Sequence, residues 1–298
     1  MITERRNPHS VDIDLLPTER VLKIINADDA LVANVVASAI PQIAKVVETA
    51  ADCIRSGGRI MYVGAGTSGR LAILDAVEIP PTFSTPPEWI QAVMAGGVKA
   101  FTQAIEGSED DRARAAADLK SKKLTRDDLV IGIAASGNTP YTQAAIEFAK
   151  SKGAKTVAVV CVENSPMSKT ADLTIQTLVG PEVITGSTRM KAGTAQKLVL
   201  NMISTATMIR LGMTYSNWMI NLSMTNNKLR DRGIHVLQEI LGVRRDEAAR
   251  LAESSGSNLK VAVIMGASGC TKEQAEKRLR DAKGNLRTVI SHFGTGRE

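Results

Sequence analysis

Aromatic residues are scarce in this sequence of 298 residues, because Phe, Trp and Tyr together make up only 3% of it. So few rings exclude a stacking platform for single-stranded nucleic acid or for the faces of sugars. The net charge of +6 would otherwise suggest a polyanionic partner. Residues 241–298, however, hold 11 Lys and Arg against 7 Asp and Glu, so most of the excess lies in this tail. We therefore expect no nucleic-acid partner.

Cysteine and histidine are equally rare. The chain has three of each, at Cys53, Cys161, Cys270, His9, His235 and His292. No two cysteines stand in a C-x-x-C pattern, and residues 59–230 contain no histidine, so no cluster of metal ligands is evident. We expect neither a metal nor another cofactor.

Long apolar runs are also missing. The most apolar stretches, residues 31–47 and 198–213, are interrupted by polar residues, and the first residues lack the pattern of a signal peptide. We therefore expect no membrane span and a cytoplasmic location.

Five short apolar runs rich in β-branched residues alternate with helical stretches. They are residues 59–63, 90–94, 129–134, 156–161 and 173–176. Runs that are apolar throughout suit strands buried on both faces of a parallel sheet. This alternation predicts an α/β fold, a three-layer αβα sandwich with a five-stranded parallel sheet.

Three domains are predicted along the chain. Residues 1–56 show helical periodicity and form an N-terminal extension that packs on the core, with Pro41 as a break or kink. Residues 57–235 form the sheet domain, which includes a long helix near 193–211. Residues 236–298 lack strand signals, and we expect a small all-α domain resembling ubiquitin-associated modules.

The small helical domain contains an internal repeat with an offset of 27 residues. Gly242, Ala248, Asn258 and Leu259 recur as Gly269, Ala275, Asn285 and Leu286. This repeat predicts two related groups of helices that share one element. Thr271 is the expected cap of one helix.

Three loops rich in Gly, Ser and Thr precede helices in the sheet region. They are residues 64–70 (GAGTSGR), 135–140 (ASGNTP) and 185–191 (TGSTRMK). Ligands of open α/β sheets bind at the carboxyl ends of the strands, where helix N-termini offer free N–H groups to anions. Helix capping would explain any one of these loops, but three together predict a site for a phosphate-bearing ligand.

The side chains that we expect to contact this ligand share small size and hydrogen-bonding groups, or a positive charge. They are Thr67, Ser68, Ser136, Asn138, Thr139, Ser187, Thr188 and Lys191. Capping remains an alternative role for Asn138 and Thr139. The roles of Arg189 and Lys228 stay open.

A nucleotide site is disfavoured. Residues 64–69 fit the G-x-G-x-x-G pattern, but a dinucleotide site requires an acidic residue at the end of the second strand. The sequence there is Ala95-Gly96-Gly97, and Glu88 lies at the opposite end. No Walker A motif occurs.

Proton transfer in the sheet domain falls to carboxylates, Lys or Tyr, because no histidine is available there. Glu78 lies among apolar residues before Pro80 and Pro81, which we expect to end its helix, and such surroundings favour a protonated carboxyl group. Glu109 lies in the acidic segment 105–111, for which a solvated helix start is the simpler interpretation.

These motifs resemble those of the N-acetylmuramic acid 6-phosphate etherases, a family with a sugar isomerase domain. The similar stretches are residues 64–81, 132–141, 180–201 (which contains GSTRMKAGTAQK) and 225–229 (TNNKL). The resemblance implies that Glu78 is the proton donor and Glu109 a second active-site residue. It also implies a carbon–oxygen lyase that releases D-lactate from a phosphosugar by elimination and hydration, without a cofactor.

A homodimer with active sites at the subunit interface is expected as well. Ten residues of helix between Ser68 and Glu78 would span roughly 15 Å, more than separates the reacting atoms of one sugar from its phosphate. Either that helix is short or bent, or Glu78 serves the partner subunit.

Two alternatives stay open from the sequence. One is an aldose–ketose isomerase that acts on a sugar phosphate, and the other is a regulator that binds a phosphosugar without catalysis. Which glutamate handles which proton is also undecided.

Overall fold

Five parallel strands form a single sheet in this computed structural model, which describes residues 2–222, 224 and 226–291. The strands are β1 (Ile60–Gly64), β2 (Ile90–Met94), β3 (Leu129–Ile133), β4 (Lys155–Val160) and β5 (Leu173–Gln176). Their order across the sheet is β2-β1-β3-β4-β5. Strands β1 and β3 are buried over their whole length, as expected for central strands covered on both faces. The predicted α/β fold is confirmed, and predicted strand ends differ from the observed ones by one residue at most.

The chain forms two compact units. The N-terminal unit consists of residues 1–77 and 87–205, and the C-terminal unit of residues 78–86 and 206–298. The predicted domain boundaries near residues 56 and 235 stay predictions.

Nine α-helices begin between the N-terminus and residue 191 of the described chain. They are α1 (Thr18–Asp29), α2 (Val32–Ser38), α3 (Ile40–Arg55), α4 (Gly66–Phe83), α5 (Lys99–Thr102), α6 (Arg112–Ser121), α7 (Pro140–Ser151), α8 (Pro166–Thr170) and α9 (Lys191–Arg210). Short 3-10 helices lie at Ile2–Glu4, Pro8–Ser10, Ile13–Leu15 and Ser108–Asp110. Pro41 stands in the first turn of α3, where its missing N–H leaves no acceptor unsatisfied.

No helix among the described residues is by itself long and apolar enough to cross a membrane. The segments Thr18–Ser38 and Ile40–Arg55, which meet at a bend of 60°, satisfy the length and composition criteria only when they are taken together.

Helix α4 corrects one expectation, because it continues through Pro80 and Pro81 to Phe83. Both prolines stand in its last turn and donate no hydrogen bond to the carbonyls one turn earlier, but their fixed φ is close to the helical value, so the chain keeps its helical course. Ile79 and Phe83, one turn apart, are both buried and hold this end of the helix in place.

Five further helices lie in the described part of the C-terminal unit. They are α10 (Asn227–Leu241), α11 (Arg245–Ser254), α12 (Leu259–Ser268), α13 (Lys272–Asp281) and α14 (Leu286–Ile290). Residue Thr225 of the TNNKL stretch and residues 292–298 of the predicted helical domain lie outside the described residues.

The 27-residue repeat has a structural counterpart in these helices. Gly242 and Gly269 end α10 and α12 in the left-handed conformation, with φ of 67° and 65°. Asn258 and Asn285 cap α12 and α14 through their side chains. The two related groups are therefore α10 to α12 and α12 to α14, with α12 as the shared element. Thr271 caps α13 in a capping box, as predicted.

Candidate functional site

A polar cavity lies at the carboxyl ends of β1 and β3. These strands are neighbours in the sheet, and β2 lies on the opposite side of β1 from β3. The order of the strands along the chain therefore reverses between β1 and β3. Open parallel sheets bind ligands at such a switch point. The cavity has a volume of about 290 Å³. Its lining includes these residues singled out from the sequence: Thr67, Ser68, Glu109, Ser136, Asn138, Thr139 and Thr188.

The first wall of the cavity is the start of α4. The helix begins at Gly66, so Thr67 and Ser68 lie in its first turn rather than in a loop. A Cβ atom on Gly64 would lie 2.9 Å from the backbone nitrogen of Gly69, which shows how closely the strand end approaches the helix. The backbone N–H groups of the first turn, which have no acceptor within the helix, are therefore available at this edge of the sheet.

Ser68 has a side-chain partner within the protein. Its hydroxyl donates to Oε1 of Gln196 at 2.8 Å, and both residues are buried. The Nε2 atom of Gln196 has no hydrogen-bond partner among the described residues. Because the hydroxyl proton of Ser68 is already engaged, the backbone N–H is the group that this residue can offer directly to an anion.

The second wall is formed by residues 134–140 between β3 and α7. Thr139 is the N-cap residue of α7, but its side chain makes no capping hydrogen bond, so its hydroxyl is not engaged with the first turn of this helix. The hydroxyl of Ser136 accepts a hydrogen bond from the backbone N–H of Asn138 at 3.2 Å. Gly137 has φ of +60°, and a Cβ atom there would lie 2.4 Å from the Ser165 side chain, so only glycine fits this turn.

The third loop contributes Thr188 to the cavity but not Ser187 or Lys191. The ammonium group of Lys191 lies 2.8 Å from Oδ2 of Asp28, and both side chains are at least 95% buried. A phosphate contact through this ammonium group would require that pair to break. The ion pair joins the start of α9 to α1, and the phosphate contact expected of Lys191 stays a prediction.

Residues near the N-terminus hold this third loop in place. Asn7 donates to Asp28 at 2.7 Å, and the Ser10 hydroxyl donates to the carbonyl of Val183 at 2.7 Å. The N–H of Gly186 donates to the carbonyl of Thr3 at 3.2 Å. The chain segment around residues 3–10 is thus part of the scaffold that shapes the site.

Glu182 has a structural role that its sequence context does not indicate. Its carboxylate is fully buried and accepts hydrogen bonds at 2.9 Å from the backbone N–H groups of Lys191 and Ala192. It therefore satisfies two of the free donors at the start of α9. A Glu nine residues before a helix has no sequence signature as a cap, so no local pattern could have found it.

The two candidate carboxylates have different positions. Glu109 lies in the short helix Ser108–Asp110, is exposed and borders the cavity. Glu78 is also exposed, which corrects the apolar environment expected from its neighbours in the sequence. It is not among the residues lining the cavity, and it lies ten residues after Ser68 on the continuous helix α4.

Asp75 is a buried carboxylate that the sequence did not single out. It accepts hydrogen bonds from Asn201 at 2.6 Å and Ser204 at 3.0 Å. Burial raises the pKa of Asp75, and these two hydrogen bonds oppose that shift. Burial and the nearby Asp75 raise the pKa of the Tyr62 phenol on β1. The group joins α4 to α9 behind the site.

A larger cavity of about 610 Å³ adjoins the first one, since both are lined by Ser136 and Asn138. Arg5 and Glu163 contribute one positive and one negative side chain to its wall. Together the two cavities offer room for a ligand larger than a phosphate group.

Few charged side chains line the smaller cavity, of about 290 Å³. Glu109 is the only charged residue among the described residues that line it, so hydroxyl, amide and backbone N–H groups dominate. Within the described chain, no group of three or more His, Cys, Asp or Glu side chains is placed to hold a metal ion. Arg189 and Lys228 are both exposed, and their roles stay open.

Comparison with known proteins identifies two matching families and several similar chains. The SIS domain matches residues 113–206, and the N-terminal SIS domain of glucokinase regulatory protein matches residues 42–150. The N-acetylmuramic acid 6-phosphate etherase of Geobacillus thermodenitrificans is 45% identical over 97% of this chain and 98% of its own length. That of Bacillus subtilis is 44% identical over 98% of this chain and 96% of its own length.

One solved structure is similar to this chain in its fold alone. The E. coli CFT073 protein c3406 is 18% identical, with a TM-score of 0.50, and the match covers 68% of this chain and 97% of that one.

Proposed function

The chain belongs to the N-acetylmuramic acid 6-phosphate etherase family, and from this premise we propose that it cleaves the D-lactyl ether of N-acetylmuramic acid 6-phosphate. The products are N-acetylglucosamine 6-phosphate and D-lactate, and the reaction serves the recycling of this amino sugar. A substrate that carries a phosphate is consistent with a cytoplasmic location, which we also propose.

The observation that carries this proposal is the meeting of phosphate-binding groups and a carboxylate in one cavity. Thr67, Thr139 and Thr188 surround the switch point of the sheet, and Glu109 borders the same space. Neutral donors and helix N-termini suit a phosphate dianion. A carboxylate beside them supports a role in proton transfer on the sugar attached to that phosphate.

The chemistry that we propose is an elimination followed by a hydration, which makes the enzyme a carbon–oxygen lyase. The sugar opens to its aldehyde, which acidifies the proton on C2. One carboxylate removes this proton, the electron pair forms the C2–C3 double bond, and the C3–O bond breaks. The departing ether oxygen takes a proton from the second carboxyl group, so D-lactate leaves with its hydroxyl restored. Water then adds to the unsaturated aldehyde at C3, and a proton returns to C2.

Glu78 and Glu109 are the two carboxylates proposed for these proton transfers. Helix α4 is continuous, so its ten-residue advance from Ser68 places Glu78 about 15 Å further along the axis. C2 and C6 of a sugar are only four carbon–carbon bonds apart. We therefore propose a homodimer in which Glu78 of one protomer completes the cavity of its partner.

The test of the function is the release of D-lactate from N-acetylmuramic acid 6-phosphate by the purified protein. We expect equal amounts of D-lactate and N-acetylglucosamine 6-phosphate. An aldose–ketose isomerase would instead convert the sugar phosphate without releasing lactate, and a regulator would bind it unchanged. Either result would overturn the proposal.

Isotopes test the lyase mechanism separately. In water labelled with ¹⁸O and deuterium, elimination and hydration place ¹⁸O on C3 of the product and deuterium on C2. Label in the D-lactate hydroxyl instead would show that the bond on the other side of the ether oxygen breaks.

A further inference from the structure

Arg70 connects the start of α4 with the chain segment that ends at Glu109. Its Nε donates to the carbonyl of Phe101 at 3.0 Å, and its Nη2 donates to those of Ala100 at 2.8 Å and Gln103 at 3.2 Å. None of these three acceptors carries a formal charge. The guanidinium therefore binds the backbone of a loop rather than an acidic side chain.

The middle of the segment 98–109 is exposed, whereas its last residues lie in the short helix Ser108–Asp110, which contacts α7. Residues 101–107 are all exposed, and Ala100 is the buried residue of helix α5. Within the described residues, the bonds from Arg70 are the only hydrogen bonds that join this segment to anything beyond its immediate neighbours in the chain. The remaining ones are local turns, such as that from the Ser108 hydroxyl to the carbonyl of Ile105.

Both ends of this connection border the site. Arg70 lies two residues after Ser68 on the same helix. Arg70 and Glu109 both line a cavity of about 160 Å³ beside the polar cavity at the carboxyl ends of β1 and β3. Gly66 and Glu109 line both of these spaces. The position of Glu109 relative to the first turn of α4 thus depends on Arg70 as well as on the contact between Ser108–Asp110 and α7.

We propose that Arg70 is a positioning residue, which fixes Glu109 at the distance from the phosphate that the reaction requires. This role rests on the proposed etherase function. The planar guanidinium presents several N–H donors in a fixed geometry and can hold three carbonyls at once, whereas the compact ammonium of lysine cannot reproduce that arrangement. We therefore expect lysine at this position to hold the segment less well than arginine.

The kinetic test compares Arg70→Met and Arg70→Lys with the matched control Arg126→Met, whose side chain is 82% exposed. A well-placed acid or base contributes about 10²-fold or more to the rate, so we expect kcat for D-lactate release to fall by about that factor in Arg70→Met. The inhibition constant of N-acetylglucosamine 6-phosphate should stay within about threefold, because the phosphate-binding groups are untouched. The kcat of Arg70→Lys should lie between those of Arg70→Met and the control Arg126→Met. Millimolar guanidinium should restore part of the activity of Arg70→Met.

Hydrogen–deuterium exchange provides a readout that does not require turnover. Amides of residues 98–109 should exchange faster in Arg70→Met, while those of the sheet strands keep their protection. A kcat within threefold of wild type, or unchanged exchange in residues 98–109, would overturn the proposal. So would a parallel loss of kcat and product binding, since this indicates a general structural role. If the wild-type protein releases no D-lactate, the proposed function fails, and exchange alone decides whether Arg70 holds the segment.

Discussion

Replacement of Lys191 by methionine distinguishes a structural role from a role in phosphate binding. The sequence suggests that this lysine contacts the phosphate, whereas the structure places its ammonium 2.8 Å from the carboxylate of Asp28. Methionine keeps most of the aliphatic volume and removes the charge. The change therefore tests the ion pair with little disturbance of packing.

The size of the effect follows from the burial of both groups. Their side chains are 4% and 5% exposed, so Lys191→Met leaves the Asp28 carboxylate buried, with Asn7 as its remaining side-chain donor. Breaking one side of a buried pair costs about 3–5 kcal/mol. For a folded unit of this size that corresponds to a decrease in Tm of about 10 °C.

A double variant separates the energy of the Lys191–Asp28 interaction from the cost of leaving one charge buried without its partner. Asp28→Asn together with Lys191→Met leaves no uncompensated charge, so we expect it to recover at least half of the loss seen in Lys191→Met. Lys45→Met is the matched control, because this lysine is exposed and its replacement should change stability by less than about 0.5 kcal/mol.

Thermal unfolding followed by circular dichroism, combined with a titration of N-acetylglucosamine 6-phosphate at low temperature, measures both properties. We expect a large loss of stability, with product binding retained by the folded variant. An unchanged Tm combined with a hundredfold weaker affinity for the product would refute the reasoning and return Lys191 to the phosphate site.

Three further predictions concern the Thr139 hydroxyl in the polar cavity, the proposed dimer and the C-terminal unit. Thr139→Ala should weaken binding of N-acetylglucosamine 6-phosphate about tenfold in a calorimetric titration, because a hydrogen bond to a charged group is lost, whereas Thr49→Ala, a control on α3 that does not line the cavity, should not. Mixed and reassembled Glu78→Gln and Glu109→Gln subunits should regain about a quarter of wild-type activity, since half of the random dimers contain one intact site; no recovery would show that both glutamates act within one chain. Burial lowers the pKa of Lys260 to about 8, and its ammonium donates to the carbonyls of Gly212 and Gly284. Because the unfolded chain then holds a proton that the folded chain has lost, Tm relative to Lys260→Met should rise between about pH 8 and 10, and a flat difference would contradict this.

Much of the sheet could be predicted from the sequence. Strands β1 and β3 are apolar throughout because both faces are covered, and glycine-rich loops follow them because a helix must begin close to the end of each strand. The repeat of Gly242 and Asn258 as Gly269 and Asn285 predicted the shared helix of the C-terminal unit, since a left-handed end and an Asn cap are local requirements.

The roles of buried polar residues could not be predicted in the same way. The partner of Lys191 is Asp28, which is far away in the sequence, and only the packing of α1 against the start of α9 brings them together. Asp75 lies among apolar residues of α4 and gains its partners from α9. The apolar neighbours of Glu78 suggested burial, but a helix turns a residue away from those beside it in the sequence, and Glu78 is exposed.

The role of Glu109 in proton transfer is tested most directly by the rate of D-lactate release. This rate is measured for Glu109→Gln at saturating N-acetylmuramic acid 6-phosphate, and binding of the product is measured on the same preparation. If Glu109 transfers a proton on a sugar held by the cavity at the switch point, the variant should bind N-acetylglucosamine 6-phosphate nearly as well as wild type, while its rate falls by about 10²-fold or more. A Glu109→Gln protein that releases D-lactate at the wild-type rate would contradict the account.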